Sequence, residues 1–456
     1  MNPIKPLGSS YRDNDGFVFE QGGLYYRLIK PCYFPHYQRF MKSGLYTALA
    51  DAGRLVAHKE IDKNNFDTNN FTDCKIILPE QIPFISYPYE WSFNMWQDAA
   101  ITTLKIASQA LEFGMFLKDA TPFNIQFTNG RPVFIDTLSF ENYELGKPWI
   151  AYKQFCESFL APLLLMHYGH CELGKIMTSF PNGIPLEVVK NLLPLKAKLN
   201  LQVHLHVYMQ SKVSSKKSPV VENNFSKEKF LLLLNGLLDL VNKLEVKKAK
   251  STWDDYYEET ILSKHYLDAK KILVKQFTDK IDFDKVIDLG ANDGVFSLLL
   301  KDKAKQIVAI DGDVNCVNEL YATIRKNKIK NMIPLYASLN APTPAIGWAN
   351  EERTSLTSRL KANLVLALAL VHHLAIGANV PLSFIAKWLS EMSEYLIIEF
   401  VPKSDEKVKL LLQNREDIFD EYNIAAFKNI FSEYYNFQLE ERVGDTNRIL
   451  FLMKIK

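Results

Sequence analysis

Cysteine is scarce and scattered. The five in 456 residues, at positions 32, 74, 156, 171 and 316, show neither CxxC pairs nor Cys/His ligand spacing. That pattern gives no zinc site and predicts reduced thiols in place of disulfides. No stretch approaches the roughly 20 apolar residues that span a bilayer. The most apolar run, LVLALALV at 364–371, has the length of a buried parallel strand. The first twenty residues lack the continuous apolar core of a secretory signal, so a cytoplasmic location is expected. Excess charge of either sign is also missing. Lys and Arg number 54 against 52 Asp and Glu, for a net charge of +2. That balance offers no general reason to expect nucleic acid or a bilayer as partner, a local basic patch aside. Tandem repeats and low-complexity blocks are absent too.

What is present is an ordinary globular composition, 47% hydrophobic and 23% charged, long enough for two or three domains. At 212–229, KVSSKKSPVVENNFSKEK, Ser, Lys and Asn replace the apolar periodicity, which predicts an exposed loop. FLLLLNGLLDLVNKLEVKKAK, 230–250, has helical spacing and ends in lysines suited to a helix C-terminus. The expected division is a first domain over 1–211, a linker and connecting helix over 212–251, and a second domain over 252–456. In that second domain apolar strand patterns at 285–289, 306–310, 332–336, 364–370 and 395–400 alternate with helical ones at 294–303, 314–327 and 382–392. Such alternation predicts an α/β domain with a parallel sheet covered on both faces. A helix at 424–433 and the pair FQLEERV and RILFLMKI, joined by GDTN, add a terminal β-hairpin.

The stretch KVIDLGANDGVFSLLL, 285–300, runs from strand through two glycines into a helix. Ligands of open parallel sheets lie beyond the C-terminal strand ends. Gly290 and Gly294 allow sharp backbone angles and close ligand approach, and the helix start is expected to face an anionic group. About twenty residues on, QIVAID ends in Asp311, placed to accept from ribose hydroxyls. A nicotinamide or flavin Rossmann domain shares these features. Three others differ from it: the spacing D-x-G-x-N-x-G (Asp288, Gly290, Asn292, Gly294), VHHL directly after the fourth strand, and the terminal hairpin.

Together these resemble the class I S-adenosylmethionine-dependent methyltransferases, whose seventh strand enters antiparallel as one arm of such a hairpin. The likeness covers roughly 252–456, and ALALVHHLAI, IIEFVPKSD and NREDIF resemble a bacterial group of methyltransferases related to nodulation proteins. It implies a Rossmann-like seven-stranded sheet with S-adenosylmethionine as cofactor. Asp288, Gly290, Asn292 and Gly294 would line the methionine end and Asp311 the ribose. Asn340, in YASLNAP, would hold the adenine, and Tyr256 and Tyr257 would cover the cofactor edge, unless the two tyrosines are simple packing. Asn292 stands where a glycine is common.

Methyl transfer is an in-line displacement, so positioning is the main task and no metal is needed. Where the acceptor must lose a proton, His372, His373 and Glu399 are the candidate bases at strand ends. The alternative for the histidines is a role in shaping the loop. The insert APTPAIGWANEERTSL, 341–356, is expected over the active-site mouth, with Trp348 and Arg353 touching the acceptor. The acceptor itself, a small molecule or protein rather than nucleic acid, is not identified, and neither is the oligomeric state.

In the first half, MWQDAAITTLKIASQALEFGMFLKD reads as a long helix followed by DATPFNIQFTNGRPVFID, with Asp119, Asn124, a hairpin turning at Asn129 and Gly130, and Asp136. Order and spacing resemble the catalytic-loop Asp, metal-binding Asn and second metal-binding Asp of kinases. The resemblance implies an α+β kinase-like domain with Asp119 as base and Asn124 and Asp136 as magnesium ligands for ATP. The sequence departs from the pattern: LKD replaces H-R-D, DTL replaces D-F-G, no glycine-rich phosphate loop precedes, and the nucleotide cation is open between Lys30 and Arg27. The plain alternative is that these residues cap turns. The leading expectation is a methyltransferase with a degenerate kinase-like domain that aids substrate recognition. The rivals are an ATP- and magnesium-dependent phosphotransferase or bifunctional enzyme, and a noncatalytic cofactor-binding adapter.

Overall fold

A computed structural model describes residues 4–68, 71, 73–214, 225–247, 264–413 and 415–456. The chain forms two compact units. The first comprises residues 1–249 together with 345–354, and the second 250–344 with 355–456.

The first unit opens with strands β1 (Gly16–Gln21), β2 (Leu24–Ile29), β3 (His58–Ile61) and β4 (Lys75–Pro79), which form an antiparallel sheet in the order β1-β2-β4-β3. β1 and β2 are a hairpin whose turn places Gly22 and Gly23 at positive φ. A 20-residue helix, Phe93–Glu112, follows and buries Trp96, Ala99, Ala100, Leu104, Ala107 and Leu111 at helical spacing. Beyond it β5 (Met115–Leu117) pairs with β8 (Phe140–Asn142), and β6 (Ile125–Thr128) with β7 (Arg131–Phe134). The β6–β7 turn has Asn129 and Gly130 at positive φ, as the hairpin reading predicted.

The helix expected to connect the domains belongs to this first unit. Over Lys227–Lys243 it buries Phe230, Leu234, Leu237 and Val241 and packs along Phe93–Glu112. Ser226 caps its start by accepting from Lys229 N. At its other end the Gln97 side chain donates to the carbonyls of Val241 and Leu244, at 2.8 and 2.9 Å, satisfying groups the helix leaves unpaired.

The second unit is built on seven strands: β9 (Lys285–Leu289), β10 (Gln306–Asp311), β11 (Met332–Tyr336), β12 (Ala362–Ala367), β13 (Ser393–Phe400), β14 (Tyr435–Arg442) and β15 (Ile449–Ile455). Their order is β11-β10-β9-β12-β13-β15-β14, parallel as far as β13, with β15 antiparallel to β13 and to β14. The buried runs in β9, β11 and β12 fit a sheet covered on both faces. Chain direction puts the β14–β15 turn at the C-terminal end of the parallel strands, because Ile449 pairs with Phe400.

Three expectations shift. The helix after the first glycine turn covers only Val295–Leu299, so a macrodipole adds little there. β12 stops at Ala367, and Ala369 takes a left-handed φ of 51°, which breaks the apolar run before the histidines. The insert does not keep to the second unit's strand ends, since its residues 345–354 pack into the first unit.

Candidate functional site

The turn after β9 is shaped by three left-handed residues, Gly290 (φ 73°), Asn292 (φ 50°) and Gly294 (φ 80°). Gly294 is required twice over, by its φ and because a Cβ there would lie 2.5 Å from Leu320 Cδ1. Backbone bonds from Gly290 N and Ala291 N to Ile310 O, 2.9 and 3.0 Å, tie the turn to the end of β10. Asp311 completes the tie. One carboxylate oxygen accepts from Asn292 N and the other from Asp313 N, each at 2.7 Å.

Asp311 keeps a partly exposed face, yet protein packs around its carboxylate, and that shielding pushes its pKa up to about 6. A Cβ built on the next residue, Gly312, would meet nothing within 4 Å, so open space borders the acid. Asp288 is buried at the end of β9, where it accepts from Ser297 Oγ at 2.7 Å, and burial raises it to about 6 as well. The Asn292 side chain accepts from Cys316 Sγ at 3.1 Å. Asn340 lies exposed beyond β11, bonded by Ser338 Oγ. Tyr256 and Tyr257 fall outside the described residues.

The candidate bases occupy less open surroundings than their positions at strand ends suggested. His372 is fully buried, and neither ring nitrogen has a hydrogen-bond partner among the described residues. Burial, then His373, Arg448 and Lys270, hold its pKa well below the usual value, so the ring is neutral. The His373 ring lies 4.0 Å away, half-buried, its pKa lowered to about 4 chiefly by burial.

Glu399 is not an open base. It is fully buried, meets Lys270 Nζ at 2.5 Å, and accepts from Tyr266 Oη at 2.5 Å. Burial alone would raise its pKa, but Lys270, then Arg448 and the hydrogen bonds, bring it below the ordinary carboxylate value. Arg448 donates to Tyr266 Oη at 2.7 Å and grips Asp405 with two bonds of 2.7 and 2.9 Å. Residue types alone did not mark Tyr266, Lys270, Asp405 and Arg448. The available signal was periodicity: Tyr266, Lys270, Val274 and Phe277 share the buried stripe of the helix Lys264–Thr278. A cleft of about 450 Å³ opens beside this cluster, lined by His265, Tyr266, Ala269, Gly444, Asp445 and Thr446.

In the first unit the three kinase-like candidates do converge. Asp119 is raised by burial and then by the nearby Asp136 charge, and it is hydrogen-bonded by Gln154 and Asn124. Asn124 Nδ2 in turn approaches Ser139 Oγ at 3.4 Å. Asp136, however, is held by the Arg27 guanidinium and by Ser139 Oγ. Among the described residues no group of three His, Cys, Asp or Glu side chains is arranged to hold a metal.

Residues 345–354 add to the first unit. Arg353 stacks 3.8 Å from the Phe123 ring centroid and pairs with Glu352 at 2.6 Å. Glu352 accepts two bonds from Arg12, at 3.0 and 3.1 Å, while Thr354 N donates to Tyr87 Oη. Arg353 is therefore held within the first unit, and Trp348 is 73% exposed.

A seven-stranded sheet of this order, with its antiparallel seventh strand, a glycine turn after its first strand and an acid closing the second, is the arrangement that the resemblance to class I S-adenosylmethionine-dependent methyltransferases implied for the second unit. The whole chain is 31% identical over 458 residues to nodulation protein NoeA of Rhizobium meliloti (strain 1021), across 98% of this chain and 95% of that protein, and it belongs to the NoeA family. No protein-family model matches the chain. Among solved structures, N-methyltransferase NodS from Bradyrhizobium japonicum WM9 in complex with S-adenosyl-L-homocysteine is similar to it at 8% identity and a TM-score of 0.33, over 44% of this chain and 92% of that one. The bifunctional kinase-methyltransferase WbdD is similar at 17% identity and a TM-score of 0.29, over 48% of this chain and 46% of that one.

Proposed function

We propose that the chain is a cytoplasmic methyltransferase that binds S-adenosylmethionine in the turn Asp288–Gly294 and against Asp311, and methylates a small-molecule or protein acceptor. The reading is carried by one observation: Asp311 accepts from the Asn292 amide of the glycine turn, so the acid and the turn form one preorganised edge. Open space beside Gly312 fits a ligand lying along that edge. Asn340 is the adenine candidate. The bound cofactor supplies a methyl group on a sulfonium. The chain's contribution is orientation and, for a hydroxyl or protonated amine acceptor, removal of a proton. For that step His372 is one candidate, its neutral ring without a hydrogen-bond partner among the described residues. His373 is the second candidate. Glu399 keeps its negative charge for Lys270 and Arg448 and is assigned no proton-transfer role.

Calorimetric titration of S-adenosylmethionine into wild type and Asp311→Asn tests the cofactor site. Asparagine keeps a carbonyl for one of the two backbone amides but loses the charge. Affinity is expected to fall roughly tenfold or more, as loss of a charged hydrogen bond worth about 1.5–3 kcal/mol implies. No saturable heat with wild type overturns the reading.

A phosphotransferase or bifunctional enzyme has the convergence of Asp119, Asn124 and Asp136 in its favour. Against it stands the Arg27 guanidinium on Asp136, the charge a magnesium ion would need. The first unit is therefore better read as a degenerate kinase-like accessory unit for substrate recognition. Magnesium-dependent ATP binding that Asp136→Ala abolishes would restore the phosphotransferase.

A further inference from the structure

The near balance of charge over the whole chain hides one local departure. From 188 to 221 the sequence carries six lysines and no aspartate or glutamate. The described part of this stretch belongs to the first unit. It runs through a helix Leu186–Leu192, a 3-10 turn Leu195–Leu199, a short helix Leu201–Val203 and a π-helical turn His204–Met209.

One side of these turns is core. Val189, Ala197, Val203 and Val207 are fully buried, and His206 is buried and bonded to Tyr152 Oη at 2.7 Å. The other side is apolar and uncovered. Leu192, Leu195, Leu199, Leu201, Leu205 and Met209 are 55%, 87%, 87%, 81%, 47% and 50% exposed. Leu201, Leu205 and Met209 recur every fourth residue, which aligns them on one helical face. Lys196 and Lys198 are interleaved with Leu195 and Leu199.

Scattered exposed leucines are ordinary, but five leucines and a methionine exposed within eighteen consecutive residues are not. Their charge pattern selects an occupant. A second copy docked through the same face would bring lysines against lysines, because a two-fold interface pairs a patch with itself. A surface of anionic headgroups over acyl chains answers both features, with leucines entering the boundary and lysines meeting the phosphates. No helix among the described residues is long and apolar enough to cross a membrane.

We infer that the leucine- and lysine-bearing turns at 192–209 dock the first unit onto an anionic lipid bilayer. The inference does not depend on the methyltransferase reading.

Its test is co-sedimentation of the full chain with vesicles of phosphatidylcholine, with and without phosphatidylglycerol. The substituted side chains are exposed, so Leu195→Ser/Leu199→Ser and Lys196→Gln/Lys198→Gln should both fold, which unchanged melting curves would verify. Wild type is expected to sediment with the anionic vesicles and to be released by salt. The lysine pair should weaken binding by about fivefold per residue, and the leucine pair should lower it at high and low salt alike. Binding that ignores phosphatidylglycerol, or that survives both double variants, overturns the assignment. So does lipid-free self-association that the leucine pair abolishes, which would give the face to a second copy.

Discussion

Replacing Lys270 with methionine probes the buried cluster of the second unit. Lys270 and Glu399 are 1% and 0% exposed and meet at 2.5 Å, so methionine removes the charge while nearly filling the volume. Removing one partner of a buried pair costs about 3–5 kcal/mol, because the other charge is left uncompensated. Two contacts soften the loss here: Tyr266 still donates to Glu399 at 2.5 Å, and Arg448 remains 3.8 Å from it. A cost of about 2–3 kcal/mol at pH 7 follows. For a unit of roughly 200 residues, that lowers the melting temperature by about 4–12 °C. The pH dependence has a definite sign. In wild type Glu399 lies below its ordinary value, so the stability it contributes is present above its unfolded pKa and is lost as pH falls through the folded one. Without Lys270, burial dominates and raises Glu399 above its unfolded value. The variant's deficit is then largest at neutral pH and shrinks as acid neutralises the side chain. Thermal denaturation followed by circular dichroism at pH 7 and pH 5 reads both effects. A variant melting within about 1 °C of wild type at pH 7 would refute the reasoning, since the pair would then be worth less than about 0.5 kcal/mol. A gap that widens in acid would refute it equally.

Asp288→Asn should stabilise the second unit at neutral pH by on the order of 1–3 kcal/mol, because burial raises this carboxyl to about 6 and its charge is costly above that value. The benefit should fade as pH falls below about 6, which melting curves from pH 5 to 8 would show. S-adenosylmethionine affinity should decline over the same range as Asp311 takes up a proton, readable by titration at each pH. Gly294→Ala forces a side chain into φ 80° and against Leu320, so it should cost about 1–3 kcal/mol and abolish cofactor binding. Gly312→Ala has room for its Cβ, so its melting temperature should stay put while cofactor affinity falls. Arg353→Ala removes the stacking on Phe123 and the pair with Glu352, for about 1–2 kcal/mol, and should expose 345–354 to protease before other sites.

The second unit's sheet was legible because most of its parallel strands are short apolar runs bounded by Gly, Asp or Asn, and because GDTN between two β-rich runs marks a hairpin end. The residues of the glycine turn were legible for the same reason: glycine reports the positive φ it permits. Ala369 does the same work without announcing it, and β12 therefore looked longer than it is. Lys270 was hidden among the lysines of KHYLDAKKILVKQF, where only its place in the apolar stripe separates it from its solvated neighbours. Glu399 was expected as a base, but its charge state depends on Lys270 and Arg448, which lie 129 residues before it and 49 after. The insert's membership of the first unit was hidden for a similar reason. Its polar sequence suits any exposed loop, and its partner Arg12 lies 340 residues away.

The chain passes between its two units three times, at 249/250, 344/345 and 354/355, and so no single cut divides it into complete halves. A fragment ending at 249 would leave Arg12, Phe123 and Tyr87 without Glu352, Arg353 and Thr354, while the complementary fragment would carry those three with nothing to hold. The two halves are thus not interchangeable parts. A recombinant that borrows its first half from a relative must also borrow ten residues from deep within the second, and natural relatives should show Arg12 changing with Glu352, and Phe123 with Arg353.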